Sequence, residues 1–213
     1  MEQKEIAMIG RISAAMTHEM RNVLAIIRES SGLMQDLLAL SKDLTFPHKD
    51  KFTNALSKIE KHVRRGDEMI TQFNTFAHSM DEARDMVELS ALIDQVVFLM
   101  QRFARSKKVI LSAEPLDQAP SVYTNPIRLM LALCACVDHC LNQAESGDAL
   151  VLRPEKEGEK AAVQMLLKKA SVGDRSLLHD VPDLSDVLKA LDGEIYPVTA
   201  GDHGGLRLVL PLK

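Results

Sequence analysis

The fold is decided by the stretch IAMIGRISAAMTHEMRNVLAIIRESSGLMQDLLALSKDL, residues 6–44. Its apolar residues recur at alternating spacings of three and four, which is the heptad repeat of packed helices. The positions on this repeat are Ile6, Ile9, Ser13, Met16, Met20, Val23, Ile27, Ser30, Met34, Leu37, Ser41 and Leu44. The stretch therefore predicts one amphipathic helix of about 40 residues, roughly 60 Å long.

A second helix follows after Pro47, which cannot continue the first one. Its repeat runs through Phe52, Leu56, Ile59, Val63, Gly66, Ile70, Phe73, Ala77 and Met80. Two long helices joined by a short turn form a helical hairpin, and one hairpin leaves an apolar stripe uncovered. Two hairpins cover it as a four-helix bundle, so we expect a homodimer through residues 4–80. A bundle completed by later helices of the same chain is the alternative.

The pattern changes after residue 85. Helices are predicted at 89–105, 126–143 and 183–191, and strands at 108–113, 121–123, 149–152, 161–169, 194–198 and 206–210. Asn125 and Pro126 are typical of a helix start, and residues 202–205 are predicted as a loop before the last strand. The predicted fold class is α+β, with a helical hairpin over 1–82 and a small α/β sandwich over 86–213, its helices on one face of a mixed sheet.

Composition excludes several classes of protein. The net charge of −4 argues against a nucleic-acid binder, which usually has a basic face. No run of about 18 apolar residues is present, so no membrane segment is expected. The charged N-terminus is not a secretory signal, and we expect a cytoplasmic protein. The chain has three cysteines, Cys134, Cys136 and Cys140, all in one predicted helix. An odd number in one helix does not indicate a disulfide framework. We expect them to be buried as small apolar residues, with no metal bound.

His18 is the candidate reactive residue. It lies two positions from both Met16 and Met20, so it points away from the apolar side of its helix. The neighbours on its own face are Arg11, Ala14, Ala15, Arg21, Asn22 and Ala25. Three of these six are alanine. Their short side chains leave the imidazole accessible, as docking of a partner would require.

The chemistry of this neighbourhood suits nucleophilic attack by the imidazole. Neutral histidine is abundant near pH 7, and one of its ring nitrogens is then nucleophilic. Glu19 could accept a hydrogen bond from the ring and stabilise the charge that develops on it. Asn22, one turn later, could position a water or phosphoryl oxygens. A merely solvated His18 is the alternative.

The segment HEMRNVL, residues 18–24, resembles the phosphoacceptor box H-E-[LIM]-[RK]-[NT]-P-L of two-component sensor histidine kinases. Val23 replaces the usual proline, so the helix is expected to be straighter here. The resemblance implies that His18 accepts a phosphoryl group, that Glu19 assists, and that Asn22 supports dephosphorylation of a partner. The implied partners are response-regulator receiver domains, with a docking surface at Arg11, Ala14, Ala15, Arg21, Asn22, Ala25 and Arg28.

Residues 86–213 resemble the ATP-binding domain of the same family in the order of their elements. NPIRL at 125–129 resembles the start of that domain's central helix, and GLRLVLPL at 205–212 resembles its closing strand. The residues that would hold a nucleotide depart from the family. Ala135 and His139 stand at the two asparagine positions, Ser171 stands at the adenine-binding aspartate, and Gly173 is the one matching glycine. We therefore expect no ATP binding and no cofactor, with Mg²⁺ supplied by the partner receiver.

Together these features resemble the dimeric histidine phosphotransferases, which have a degenerate ATPase-like domain. The expected function is a phosphorelay step that moves a phosphoryl group between receiver aspartates and His18 without ATP. One alternative is a divergent sensor histidine kinase that autophosphorylates on His18. The other is a receiver-binding adaptor without phosphoryl chemistry.

Overall fold

The computed structural model describes residues 2–40, 48–78, 84–116, 118–169, 182–200 and 203–212. The chain divides into two compact units. The helical unit comprises residues 13–75, and the α/β unit comprises residues 1–12 together with 76–213.

The helical unit consists of two long helices, as predicted. They are α1 (Glu2–Leu40), whose first turns belong to the α/β unit, and α2 (Lys49–His78). Among the described side chains of α1 in this unit, the buried ones besides Ala15 repeat every seven residues at Met16, Val23, Ser30 and Leu37, none more than 7% exposed. The heptad repeat predicted for the first helix is therefore confirmed over this part of α1.

The repeat predicted for the second helix is only partly buried within the single chain. Among the described side chains of α2, Ala55 and Met69 are buried, each 3% exposed. Leu56, Val63 and Ile70, which belong to the predicted repeat, are 46%, 44% and 47% exposed in the single chain. An uncovered apolar stripe on a single hairpin is what the sequence leads us to expect, and the homodimer that would cover it stays a prediction.

The α/β unit contains three helices and seven strands among the described residues. The helices are α3 (Leu89–Ser106), α4 (Pro126–Gln143) and α5 (Ser185–Ala190). The strands are β1 (Asp85–Glu88), β2 (Ile110–Ala113), β3 (Ser121–Thr124), β4 (Ala149–Glu157), β5 (Lys160–Lys168), β6 (Glu194–Ala200) and β7 (His203–Pro211). A five-stranded sheet has the order β2-β4-β5-β7-β6, and β1 pairs with β3 in a small separate sheet. Only the β2–β4 pair of the large sheet is parallel, so the mixed sheet is confirmed.

Helix α4, which carries the cysteines and the predicted nucleotide positions, begins where the sequence predicts. The Asn125 side chain accepts a hydrogen bond of 2.8 Å from the backbone nitrogen of Arg128, and Pro126 occupies the first turn. Glu88 caps α3 in the same way, accepting from the backbone nitrogens of Ser90 and Ala91. These caps fix where both helices start beside the sheet.

Two predicted boundaries near the sheet are wrong. The loop expected at 202–205 is part of β7 from His203 onward. A Cβ on Gly205 would collide with the backbone oxygen of Met165 on β5, so glycine serves close strand approach here rather than a turn. The strand predicted at 149–152 is longer in the structure, because β4 continues through Pro154 to Glu157, and the turn follows at Gly158, which has φ +59°.

The core of the α/β unit lies between α3, α4 and one face of the large sheet. Fully buried side chains on the sheet include Leu152, Met165 and Leu208, and Leu133 of α4 is buried as completely. The three cysteines of α4 are also buried and unpaired with one another, which confirms their predicted place in the core.

None of the described helices is both long and apolar enough to span a membrane. Among the described residues, no group of three or more histidine, cysteine or acidic side chains is placed to hold a metal ion.

Candidate functional site

His18 lies on the exposed side of α1, within the helical unit. Asn22, one turn later and also exposed, places its side-chain nitrogen Nδ2 3.2 Å from His18 Nδ1. Rotating the Asn22 amide by 180° exchanges its nitrogen and oxygen, so the contact suits either ring tautomer. With Oδ1 accepting from Nδ1–H, the lone pair of Nε2 is left for a nucleophilic role.

Glu19 lies toward α2, in contrast to His18. Its carboxylate oxygen Oε2 accepts a hydrogen bond of 2.8 Å from Nη2 of Arg65, and the Glu19 side chain is 17% exposed. Arg65 is a functional candidate that the sequence analysis missed. The two residues are 46 positions apart, and only the pairing of α1 with α2 brings them together.

The predicted receiver-docking surface is only partly open. Ala14, Arg21, Ala25 and Arg28 are exposed on α1 together with His18 and Asn22. Ala15 is 4% exposed, so its assignment to that surface is wrong for the single chain. The reason is that Ala15 lies next to Met16 on the buried stripe of α1, three residues after the fully buried Ile12.

Arg11, also predicted to meet a receiver, is engaged inside the α/β unit. Its guanidinium donates two hydrogen bonds, of 2.8 and 3.0 Å, to the carboxylate of Asp138 on α4. The same group lies 5.1 Å from the centre of the Phe103 ring on α3. The hydrogen bonds to Asp138 raise the pKa of Arg11. A receiver would have to replace these contacts to use Arg11.

The predicted nucleotide positions of α4 share one half-buried face of that helix. Ala135, Asp138 and His139 lie on it, at spacings of three and four residues. His139 Nε2 is 2.8 Å from Nε2 of Gln143. Asp138 is a second residue that the sequence analysis missed, since it places a carboxylate between the alanine and the histidine. Ser171 and Gly173 lie outside the described residues.

No protein-family model matches the chain, and no curated protein matches it in sequence. Among solved structures, the nucleotide-free catalytic domain of the histidine kinase ThkA is similar at 15% identity with a TM-score of 0.50. That alignment covers 61% of this chain and 96% of the ThkA domain. The α/β unit thus has the fold of a histidine kinase catalytic domain, as the sequence resemblance led us to expect.

Two further alignments with histidine kinases extend over most of this chain. The histidine kinase AdeS of Acinetobacter baumannii aligns at 13% identity over 92% of this chain and 98% of its own, with a TM-score of 0.48. A histidine kinase of Burkholderia phymatum STM815 aligns at 17% identity over 92% of this chain and 97% of its own, with a TM-score of 0.47.

Proposed function

We propose that the chain is a phosphoacceptor of two-component signal transduction, with His18 as the residue that carries the phosphoryl group. The observation that supports this most is the exposed imidazole of His18 with Asn22 at its Nδ1 atom. With the Asn22 amide oxygen accepting from Nδ1–H, Nε2 keeps its lone pair and is the nucleophilic atom. The catalytic-domain fold of the α/β unit agrees with this class of protein.

In the proposed reaction, the lone pair of His18 Nε2 attacks the phosphorus of a receiver's aspartyl phosphate. The P–O bond breaks, and its electrons remain on the receiver's carboxylate. The imidazole keeps its proton on Nδ1 and carries a positive charge, which the Asn22 amide oxygen and the nearby Glu19 carboxylate would stabilise. The receiver would dock over Ala14, Arg21, Ala25 and Arg28, and it would bring the Mg²⁺.

The favoured phosphoryl donor is a receiver rather than ATP. Mg²⁺ prefers oxygen ligands. Ala135 has no ligand atom, and His139 offers a ring nitrogen that already lies beside Gln143. The chain would then be a histidine phosphotransferase, a phosphorelay intermediate without a nucleotide of its own.

An ATP-dependent divergent kinase is the second candidate, and two observations favour it. One is the fold itself, which the chain shares with the catalytic domain of a kinase. The other is Asp138, whose carboxylate lies on the same face of α4 as Ala135 and His139 and would suit Mg²⁺. Arg11 holds that carboxylate by two hydrogen bonds, so the kinase reading requires that this pair opens.

We also propose that the active form is a homodimer through residues 4–80. Leu56, Val63 and Ile70 are exposed on α2 at intervals of seven residues, and Leu33 and Leu40 are exposed on α1 at the same interval. A stripe with this spacing fits a second helical pair and completes a four-helix bundle. Because the exposed residues recur every seven positions, as in packed helices, we favour a second copy of the same helices over an unrelated partner.

Two phosphoryl donors test the proposal and separate its two forms. The wild-type chain and His18→Ala are incubated with Mg-ATP labelled on its γ-phosphate, and separately with purified receiver domains phosphorylated by acetyl phosphate. If the chain is a phosphotransferase, His18 should be labelled by phosphorylated receivers and not by ATP. If it is a kinase, ATP should label His18, and the substitution Asp138→Asn should abolish that labelling. Label that survives in His18→Ala, or no label from either donor, contradicts both forms. Receiver binding without label would point to the adaptor, and Ala25→Arg should then abolish that binding.

A further inference from the structure

We propose that Arg65 is a positioning residue that limits how far the negative charge of Glu19 acts on His18. Arg65 lies on α2 and does not belong to the sequence box around His18. It acts on the ring through the carboxylate of the next residue, Glu19. The inference rests on the proposed role of His18 as the phosphoacceptor.

Glu19 and Arg65 form a short, partly buried ion pair between α1 and α2. The distance from Oε2 to Nη2 is 2.8 Å, and the carboxylate is the more buried partner, with 17% of its side chain exposed against 41% for Arg65. Gly66 follows Arg65, and a Cβ there would lie 3.4 Å from Cγ1 of Val23, so the two helices approach closely beside the pair. This close approach keeps the guanidinium within reach of the residue next to His18.

The pair matters because phosphorylation places a positive charge on the imidazole. When Nε2 bonds to phosphorus, the ring retains its Nδ1 proton and becomes cationic. A carboxylate on the adjacent residue stabilises that charge, whether by a hydrogen bond or through space. A guanidinium 2.8 Å from the same carboxylate cancels most of this field, so the ring experiences a dipole instead of a charge. Removing the arginine charge should therefore favour the phosphorylated state.

Arg64 provides a matched control on the same helix. It is the preceding residue, of the same type, and it pairs with Glu60 of its own helix. Its side chain is 77% exposed, and that of Glu60 is 65% exposed. Neutralising Arg64 changes the net charge by the same amount as neutralising Arg65, and it leaves Glu19 paired.

The experiment measures phosphorylation of His18 by phosphoramidate, a small donor that requires neither ATP nor a receiver. Nε2 attacks the phosphorus, the P–N bond breaks, and ammonia leaves with the electron pair of that bond. The reaction is followed by intact mass at pH 8, where a free imidazole is mostly neutral. The chain has seven histidines, so His18→Ala defines the background.

Arg65→Gln should accelerate labelling of His18 by about two- to fivefold, the range expected for a partly exposed ion pair. Arg64→Gln should match the wild type, and Arg65→Lys should stay near it because a cation remains beside Glu19. Glu19→Gln should be slower, and adding Arg65→Gln to it should change nothing further. A purely structural role for the pair predicts instead that Arg65→Gln slows labelling and lowers the melting temperature.

The proposal is overturned if Arg65→Gln equals Arg64→Gln, if its effect persists without Glu19, or if phosphoramidate labels His18 in none of the variants. Should Arg65→Gln fail to fold, Arg65→Lys and Glu19→Gln still decide, because the lysine variant must be the faster of the two. A failure of the proposed function is distinguishable. In that case receivers and ATP leave His18 unlabelled, while the phosphoramidate rates still rank the variants as stated.

Discussion

Asn22 lies one helical turn after His18, and its side-chain nitrogen is 3.2 Å from the ring nitrogen Nδ1. This contact couples the tautomer of the ring to the orientation of the Asn22 amide. If the amide presents its oxygen to Nδ1–H, Nε2 has the free lone pair, and the ring is oriented for attack. From the sequence, Glu19 was expected to hydrogen-bond the ring, and the structure places Asn22 there instead.

Asn22→Ala should therefore slow phosphorylation of His18 by about fivefold, the effect of losing one hydrogen bond that orients the ring. Asn22→Asp is the informative comparison, since its side chain only accepts hydrogen bonds. We expect the aspartate variant to keep the wild-type rate or exceed it. The measurement is the initial rate of labelling by phosphoramidate.

Loss of rate in Asn22→Asp equal to that in Asn22→Ala would contradict this assignment of the tautomer. It would mean that Nδ1 accepts from the amide and that Nε2 carries the proton. Asn54→Ala serves as the control, because Asn54 is also an exposed helical asparagine but lies on α2.

Val63→Glu should convert the proposed dimer into a monomer. A glutamate in the middle of the stripe Leu56, Val63 and Ile70 would lose its hydration in an apolar interface, which should weaken dimerisation by about a hundredfold or more. Sedimentation velocity at micromolar concentration checks this. Lys61→Glu, about 200° round the same helix, should remain dimeric. A wild-type chain that sediments as a monomer would refute the dimer.

Gly205→Ala should destabilise the α/β unit by about 3 kcal/mol or more, because a Cβ at this position meets the backbone of Met165. Gly158→Ala, in a turn with φ +59°, should cost only about 1 kcal/mol, since the space around it is open. Urea unfolding followed by circular dichroism compares the two variants. Equal costs would show that β5 and β7 separate easily at Gly205.

The buried cysteines of α4 should make the folded chain less stable as the pH rises into the alkaline range. Burial raises the pKa of Cys134 to about 12 and that of Cys140 to about 12, from an ordinary value of 9.0. Burial also raises the pKa of Cys136 well above that value. A thiol with a raised pKa in the folded state favours folding below pH 9, and this contribution is lost as the pH rises from about 9 toward 12.

The free energy of unfolding should therefore fall with pH across that window, and a triple serine variant should show a shallower slope. Iodoacetamide at pH 8 should modify none of the three cysteines in the folded chain and all three in urea. Rapid modification of the folded chain would contradict the burial of these thiols.

The sequence predicts the elements of the α/β unit well because their signals are local. Asn125 and Pro126 mark the start of α4, and short, largely apolar runs mark strands such as β4 and β5. β1 is missed because it is four residues long and pairs only with another four-residue strand. Gly204 and Gly205 indicate a turn by composition, and only the neighbouring strand shows that they lie inside β7.

The candidate site is predicted where it lies on one helix and missed where it depends on two. The exposure of His18 and the closeness of Asn22 follow from helical periodicity along α1. The pairing of Glu19 with Arg65 depends on how α1 and α2 align, which spacing does not specify. The burial of Ala15 could not be predicted from the sequence for a similar reason. Alanine is compatible both with an exposed surface and with a close packing contact.

The most direct test of the account is to locate the phosphoryl group after exchange with phosphorylated receiver domains. The protein is digested at alkaline pH, which preserves phosphohistidine, and the peptides are sequenced by mass spectrometry. The account predicts that the phosphoryl group lies on His18, alone among the seven histidines, and that His48→Ala keeps it while His18→Ala loses it. A phosphoryl group on any other residue, or an unmodified His18 after exposure to both receivers and Mg-ATP, would contradict the central claim.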